Sequence, residues 1–303
     1  MPLNVIVTGA GGVIGRRLVP QLQTRGHNVI AVGRHLARSA TSFATITGDL
    51  SDASVRARAI AALRDCGKSQ SAIVHLAAGS NVAAASASRN AAFEGNVLLT
   101  HLMLEAADAA NVSRFLFASS GYIYGNGSIA PIMEDRVAHP LSMYAAAKLA
   151  AEALVQGYSA ECGIAGTIFR LSNVFGPESP DTTVAGRILS QLRQRQPVNV
   201  ASRQPVRDFI FIDDVAEAIC ALLETPASAV TGVFNISTGV GTSIGSLADS
   251  ATAMADGKTC KIESLDPSNQ DCLILSNERI RTRTGWAPRH SLAEGLQLCL
   301  SVH

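Results

Sequence analysis

The chain has 303 residues, enough for one large α/β domain or for a nucleotide domain with a smaller companion. A hydrophobic fraction of 47% allows a sizeable core, whereas 16% charged residues and a net charge of +1 argue against a nucleic-acid binder, which would carry a basic face. No apolar stretch reaches the ~18 residues that span a bilayer, and the amino-terminal residues show no basic leader or cleavage signal. Cys66, Cys162, Cys220, Cys260, Cys272 and Cys299 form no C-x-x-C pair. A cytoplasmic protein with reduced thiols, no membrane span and no metal is therefore expected.

Leu3 to Val7 reads as a buried strand. It breaks at Thr8 into a turn holding Gly9, Gly12 and Gly15, and an amphipathic helix (Val13, Leu18, Val19, Leu22) leaves that turn. Outward-pointing N–H groups, a helix dipole and missing Cβ atoms make such a turn an anion site suited to a pyrophosphate. The spacing is G-x-x-G-x-x-G, with Ile14 where the third glycine of G-x-G-x-x-G would fall, so the dinucleotide fingerprint fits loosely. Asn28–Val32, Thr45–Thr47, Ala72–Leu76, Arg114–Ser119 and Ile164–Leu171 read as further strands. Asp52–Cys66, residues 86–111 and Met143–Ala160 read as helices. This alternation predicts a Rossmann-type, doubly wound parallel sheet. At Phe175-Gly176-Pro177-Glu178-Ser179-Pro180 the rhythm breaks. Strand Asp208–Ile212 and helix Asp213–Glu224 are expected to return to the first domain. The organisation that follows is a dinucleotide domain at 1–174, rejoined by 206–235, with a smaller interleaved substrate-binding region at 175–205 and 236–303.

The end of the second strand commonly carries an acid for the adenosine ribose of NAD. Here it carries Gly33 and then Arg34, and no Asp or Glu occurs between Gly15 and Asp49, while Arg16, Arg17, Arg25, Arg34 and Arg38 all do. A guanidinium suits a 2′-phosphate, so NADP is favoured over NAD, with Arg34 on the phosphate side; a solvated surface arginine is the plain alternative. Asp49, followed by Leu50, can accept from the adenine amino group or simply brace a turn.

Strand five ends in Ser119-Ser120-Gly121-Tyr122-Ile123-Tyr124-Gly125, and Tyr144 and Lys148 later share one helix face at i,i+4. An ammonium beside the phenol is expected to pull its pKa below the usual ~10, making Tyr144 a general acid or base near neutrality. Ser120 can hydrogen-bond the same substrate oxygen, completing a clamp for a carbonyl or alkoxide. Y-x-x-x-K alone is weak; its order after a glycine turn and a Ser-Ser strand end gives it meaning.

The chain resembles the extended short-chain dehydrogenases/reductases, which contain the NAD(P)-dependent epimerase/dehydratase group. The resemblance rests on Thr8 to Gly15, Gly48-Asp49-Leu50, His75-Leu76-Ala77-Ala78, Asn96, Ser119-Ser120 with Tyr124-Gly125, and Tyr144-x-x-x-Lys148. Phe169 to Pro177, Val206 to Val215 and Gly285-Trp286-x-Pro288 extend it. It implies a catalytic Ser120, Tyr144 and Lys148, with Lys148 also holding the nicotinamide ribose. It implies cofactor contacts from Gly9, Gly12, Val13, Ile14, Gly15, Asp49, Leu50, Leu76, Ala77, Ala78 and Asn96, and a homodimer built through helices 86–111 and 145–160. A nucleotide-sugar substrate follows too, with Asn173 and Arg207 near its diphosphate and Ser80, Ser120 and Tyr122 as further contacts; from the residues alone, Arg207 could equally pair with Asp208. The group's dehydratases carry a Thr-Asp-Glu run where this chain has Ser120, Gly121 and Tyr122, and no acid follows before Glu134, so dehydration is not expected. A 4-epimerase and an NADPH-consuming 4-keto-6-deoxy sugar reductase both remain open. A catalytically silent NADP(H) sensor on the same fold is the alternative outside enzymology.

Overall fold

The computed structural model describes residues 2–36, 44–65, 70–78, 88–127, 130–255, 263–264 and 271–301. Strands β1 (Asn4–Thr8), β2 (Asn28–Gly33), β3 (Ala44–Thr47), β4 (Ser71–His75), β5 (Arg114–Ser120), β6 (Ala165–Leu171) and β10 (Gly232–Ile236) form one parallel sheet in the order β10-β6-β5-β4-β1-β2-β3. Both faces of the central strands are covered, which is why β1, β2 and β4 read as largely apolar runs, whereas edge strand β3 is mostly exposed. Val5 and Val7 of β1 face helices Val13–Thr24 and Ile212–Glu224 through Leu18, Leu22, Val215 and Ile219. Ile6, from the same strand, joins Ile30, Ile73 and Phe115 beneath helices Ala53–Asp65, Leu99–Ala109 and Met143–Cys162. The doubly wound expectation holds, and the crossover direction reverses between β1 and β4, where such folds open a ligand crevice.

A smaller sheet lies beyond it. β9 (Val206–Phe211) pairs with β7 (Asn173–Phe175), β11 (Gly241–Ser243) and β13 (Cys272–Leu273), while β8 (Asn199–Val200) pairs with β12 (Glu263–Ser264). Phe175, Ile188, Phe209, Phe211, Leu247 and Leu296 pack as a separate core there. This corrects the expected return of the strand near 208: β9 never joins the large sheet. Within 206–235 it is helix Ile212–Glu224 and strand β10 that pack on or extend that sheet. A six-residue strand whose apolar part, Phe209-Ile210-Phe211, suits either partner did not distinguish them in sequence.

The single helix expected over 86–111 is also different. Residues 79–87 lie outside the described set, and Arg89–Phe93 and Leu99–Ala109 flank a π turn at Glu94–Leu98. The wider turn buries Asn96, whose Nδ2 donates to the Ala92 carbonyl at 2.9 Å. Among the described residues, Cys162, Cys220, Cys272 and Cys299 form no disulfide, and Cys66 and Cys260 lie outside the described residues. Among the described residues no helix is long and apolar enough to cross a membrane.

Candidate active site

A cleft of about 520 Å³ opens at the carboxyl ends of β1, β2 and β4. Gly9, Gly12, Arg34, Asp49, Leu50, Leu76, Ala77 and Ala78, expected at the cofactor, line it together. Gly9 has φ +66°, and a Cβ there would stand 2.7 Å from the Ala77 nitrogen. Gly11, absent from the sequence-based set, is equally constrained: its Cβ would meet the His35 carbonyl at 2.0 Å. Its place in the G-x-G half of the turn was the available signal. Backbone stripped of Cβ atoms at a helix N-terminus fits a dinucleotide's pyrophosphate.

Val13, Ile14 and Gly15 are not among the residues that line the cleft. The Val13 and Ile14 side chains pack against the smaller region's core, Ile14 also against the larger one, and a Cβ on Gly15 would meet Ala10 Cα and the Gly9 oxygen at 2.5 Å. Asn96 is buried with Oδ1 unpartnered, one residue beyond Gly95, which does line the cleft together with Glu94. Arg34 is exposed at the rim. Asp49 braces a turn, accepting from the Ser51 nitrogen at 2.9 Å, and that bond, with a smaller contribution from Arg34, holds its carboxyl below the usual range. Ser80 and Arg38 lie outside the described residues.

A second cavity of about 440 Å³ begins where β5 and β6 end, and Ser120, Tyr122, Tyr144, Asn173 and Arg207 all line it. Ser142 caps the helix that carries Tyr144, accepting from the Ala145 nitrogen at 3.2 Å. The Tyr144 hydroxyl hydrogen-bonds Ser120, whose Oγ also accepts from the Tyr122 nitrogen at 3.2 Å. One helical turn on, buried Lys148 donates to the Ala118 carbonyl at 2.8 Å and sits 4.9 Å over the Phe117 ring. The expected depression of the Tyr144 phenol is not found. Burial pushes it up to about 12, the Ser120 bond opposing, and burial brings Lys148 itself down to about 8, with Glu152 opposing. The lysine addresses the strand end rather than the phenol, so enclosure outweighs its charge. Behind it, His75 Nδ1 lies 2.7 Å from Thr8 Oγ1, and burial, with help from Lys148, takes the imidazole down to about 3, leaving it neutral.

Arg207 does not pair with Asp208. Its guanidinium donates to the Val206 and Asp271 carbonyls at 2.9 and 3.0 Å and lies 3.7 Å from the Asp271 carboxylate. Asp208 turns inward to Thr238 and Gly239, whose nitrogens donate at 3.0 and 2.9 Å. Asn173 Nδ2 donates to the Tyr122 hydroxyl at 3.3 Å. Thr182, Thr183, Ser202, Phe209 and Ile244 complete the wall and were not anticipated; being neutral, they left no charge pattern to read.

The sequence profile of the NAD dependent epimerase/dehydratase family matches residues 5–237. A UDP-glucose 4-epimerase of Mycolicibacterium smegmatis is 32% identical over 313 residues, covering 97% of this chain and 96% of that protein. The UDP-glucose 4-epimerase of Thermus thermophilus, solved in complex with NAD, superposes with a TM-score of 0.89 at 27% identity, over 98% of this chain and 97% of the other. That of Thermotoga maritima, solved with UDP-glucose, gives 0.88 at 26% identity over the same shares.

Proposed function

The chain belongs to the NAD dependent epimerase/dehydratase family, and from that premise we propose that it is a nucleotide-sugar 4-epimerase. The observation that carries this reading is the Ser120–Tyr144 hydroxyl pair on the wall of a cavity that also holds Arg207. Two hydroxyls suit the C4 oxygen of a sugar, and a guanidinium suits the diphosphate. Arg207 is the one charged side chain among the described residues lining that cavity. With it assigned to the diphosphate, neutral hydroxyl and amide groups remain for the sugar, which favours a neutral hexose. The relatives with UDP-glucose in their names support the same substrate class.

A bound nicotinamide supplies the hydride acceptor and donor, and in its oxidised form adds a positive charge to the site. Tyr144 Oη takes the C4 hydroxyl proton, and Ser120 Oγ donates to the same oxygen as negative charge develops on it. Tyr144 returns the proton when the carbon is reduced again, so no net redox change results. A phenol near 12 needs cationic help to act as a base at neutrality, and Lys148 one turn away is the chain's own source of it. Dehydration is disfavoured: the carboxylate of Glu134 is committed to the Asn235 nitrogen at 2.8 Å and to Arg279 at 3.4 Å.

Arg34 at the rim of the dinucleotide cleft favours a second reading, an NADPH-dependent reductase of a 4-keto-6-deoxy nucleotide sugar. One assay separates the two. An epimerase interconverts UDP-glucose and UDP-galactose without consuming reduced cofactor, whereas a reductase consumes NADPH in proportion to product. The silent-sensor reading is tested by Tyr144→Phe, which in an enzyme lowers turnover about 10²- to 10⁴-fold while sparing dinucleotide binding; biological function unchanged in that variant would overturn catalysis. We also propose a cytoplasmic homodimer. Phe93 and Leu98 are exposed apolar side chains beside helices Leu99–Ala109 and Met143–Cys162, and light scattering reads the mass directly.

A further inference from the structure

Behind the Ser120–Tyr144 pair lies a charged cluster that the hydride-transfer reading does not use. Glu152, four residues after Lys148 on the same helix, is 1% exposed. Its Oε1 accepts from Ser119 Oγ and from Arg170 Nε at 3.0 Å, and its Oε2 accepts from Arg170 Nη2 at 2.7 Å. Arg170 is buried as well, and its Nη1 donates to the Tyr124 hydroxyl at 2.8 Å. One buried carboxylate therefore pairs with one buried cation, Arg170, a single helical turn from a second, Lys148.

Buried ion pairs cost desolvation that apolar residues would avoid, so their presence beside a reacting centre points to a task other than stability. We propose that Glu152 and Arg170 are a positioning pair for catalysis: Glu152 keeps Lys148 an ammonium and fixes the Ser119–Ser120 strand end, while Arg170 stops that carboxylate from cancelling the lysine's field at Tyr144. This rests on the reading of Ser120, Tyr144 and Lys148 given above. Against Lys148 stand Glu152 on its own helix, His75 on β4, and Phe117 and the Ala118 carbonyl on β5, with Tyr144 one helical turn before it. His75 is neutral, so Glu152 is the carboxylate among them. Arg170, on β6, reaches the lysine only through Glu152.

The two substitutions shift the basic limb of the pH–rate profile in opposite directions. Glu152→Gln leaves two buried cations without a counter-ion, so Lys148 loses its proton at lower pH and the limb of kcat/KM moves acid by about one pH unit or more. Arg170→Gln frees the carboxylate for Lys148 alone, and the limb moves to higher pH. If Glu152→Gln does not fold, the double variant Glu152→Gln/Arg170→Gln leaves one uncompensated buried cation, Lys148, instead of two and carries a smaller shift in the same acid direction, and Glu152→Asp restores the parent profile. The substrate is whichever nucleotide sugar the parent turns over. A parent inactive on all of them overturns the functional reading itself. An active parent whose variants lose rate with the limb unmoved overturns this proposal and leaves the functional reading intact.

Discussion

Gly9 and Gly26 both have a positive φ, +66° and +83°, but they differ in what surrounds them. A Cβ on Gly26 meets nothing within 4 Å, so Gly26→Ala carries only the conformational penalty of placing an L side chain there, about 1–2 kcal/mol. A Cβ on Gly9 meets the Ala77 nitrogen at 2.7 Å and the Leu76 carbonyl carbon at 2.9 Å, where ordinary contact begins at 3.4 Å. Those are backbone atoms of the cleft wall, and they must yield by about 0.5–0.7 Å, which adds about 1–3 kcal/mol on the scale of overpacking. Gly9→Ala therefore lowers stability by about 2–5 kcal/mol in total. It also weakens the dinucleotide about tenfold or more, since 1.4 kcal/mol of distortion in the binding wall suffices for that. Urea unfolding of parent, Gly26→Ala and Gly9→Ala separates the two contributions, and calorimetric titration with NAD and NADP reads the second effect. If Gly9→Ala matched Gly26→Ala within about 0.5 kcal/mol and bound dinucleotide as the parent does, the cradle assignment would fail.

Three further outcomes are expected. The Lys148 ammonium loses its proton near 8 in the folded chain and near 10.5 when unfolded. Between those values the unfolded state binds the extra proton, so the parent gains about 1 kcal/mol per pH unit, a slope that Lys148→Met lacks; denaturation curves that run parallel for the two proteins would contradict this. Arg207→Gln raises KM for the nucleotide sugar about tenfold or more with kcat little changed, and steady-state kinetics giving the reverse split would remove Arg207 from the diphosphate. Arg34→Gln weakens NADP about tenfold relative to NAD in titrations, and an unaltered ratio would leave Arg34 a surface residue.

The sequence revealed most where one chemical requirement dominates. β1, its glycine turn and the following helix were legible because an apolar run, missing Cβ atoms and a helical stripe admit few other arrangements. Tyr144, Ser120 and Lys148 were legible by their order along an alternating scaffold. Pairing preference was not: β9 reads like any buried strand, and only its neighbours in space place it with β7, β11 and β13. The π turn at Glu94–Leu98 was invisible for a related reason, since one extra residue in a turn barely alters an alanine- and leucine-rich pattern. Charge at Tyr144 was misjudged because sequence spacing gives proximity to Lys148 but says nothing of enclosure, and enclosure dominates. Val13 and Ile14 mark the turn in the sequence, but their side-chain packing against two cores was not legible there.

The large sheet is completed by β10, which docks on β6 only after β7, β8, β9 and helix Ile212–Glu224 have been traversed in sequence. During synthesis, β6 therefore emerges some sixty residues before the strand that covers its edge, carrying Ile168 and Phe169 into an unfinished sheet. Exposed strand edges of that kind recruit other chains. A ribosome-bound or truncated chain stopping short of residue 232 should accordingly self-associate or engage chaperones, while a chain reaching beyond residue 236 should not.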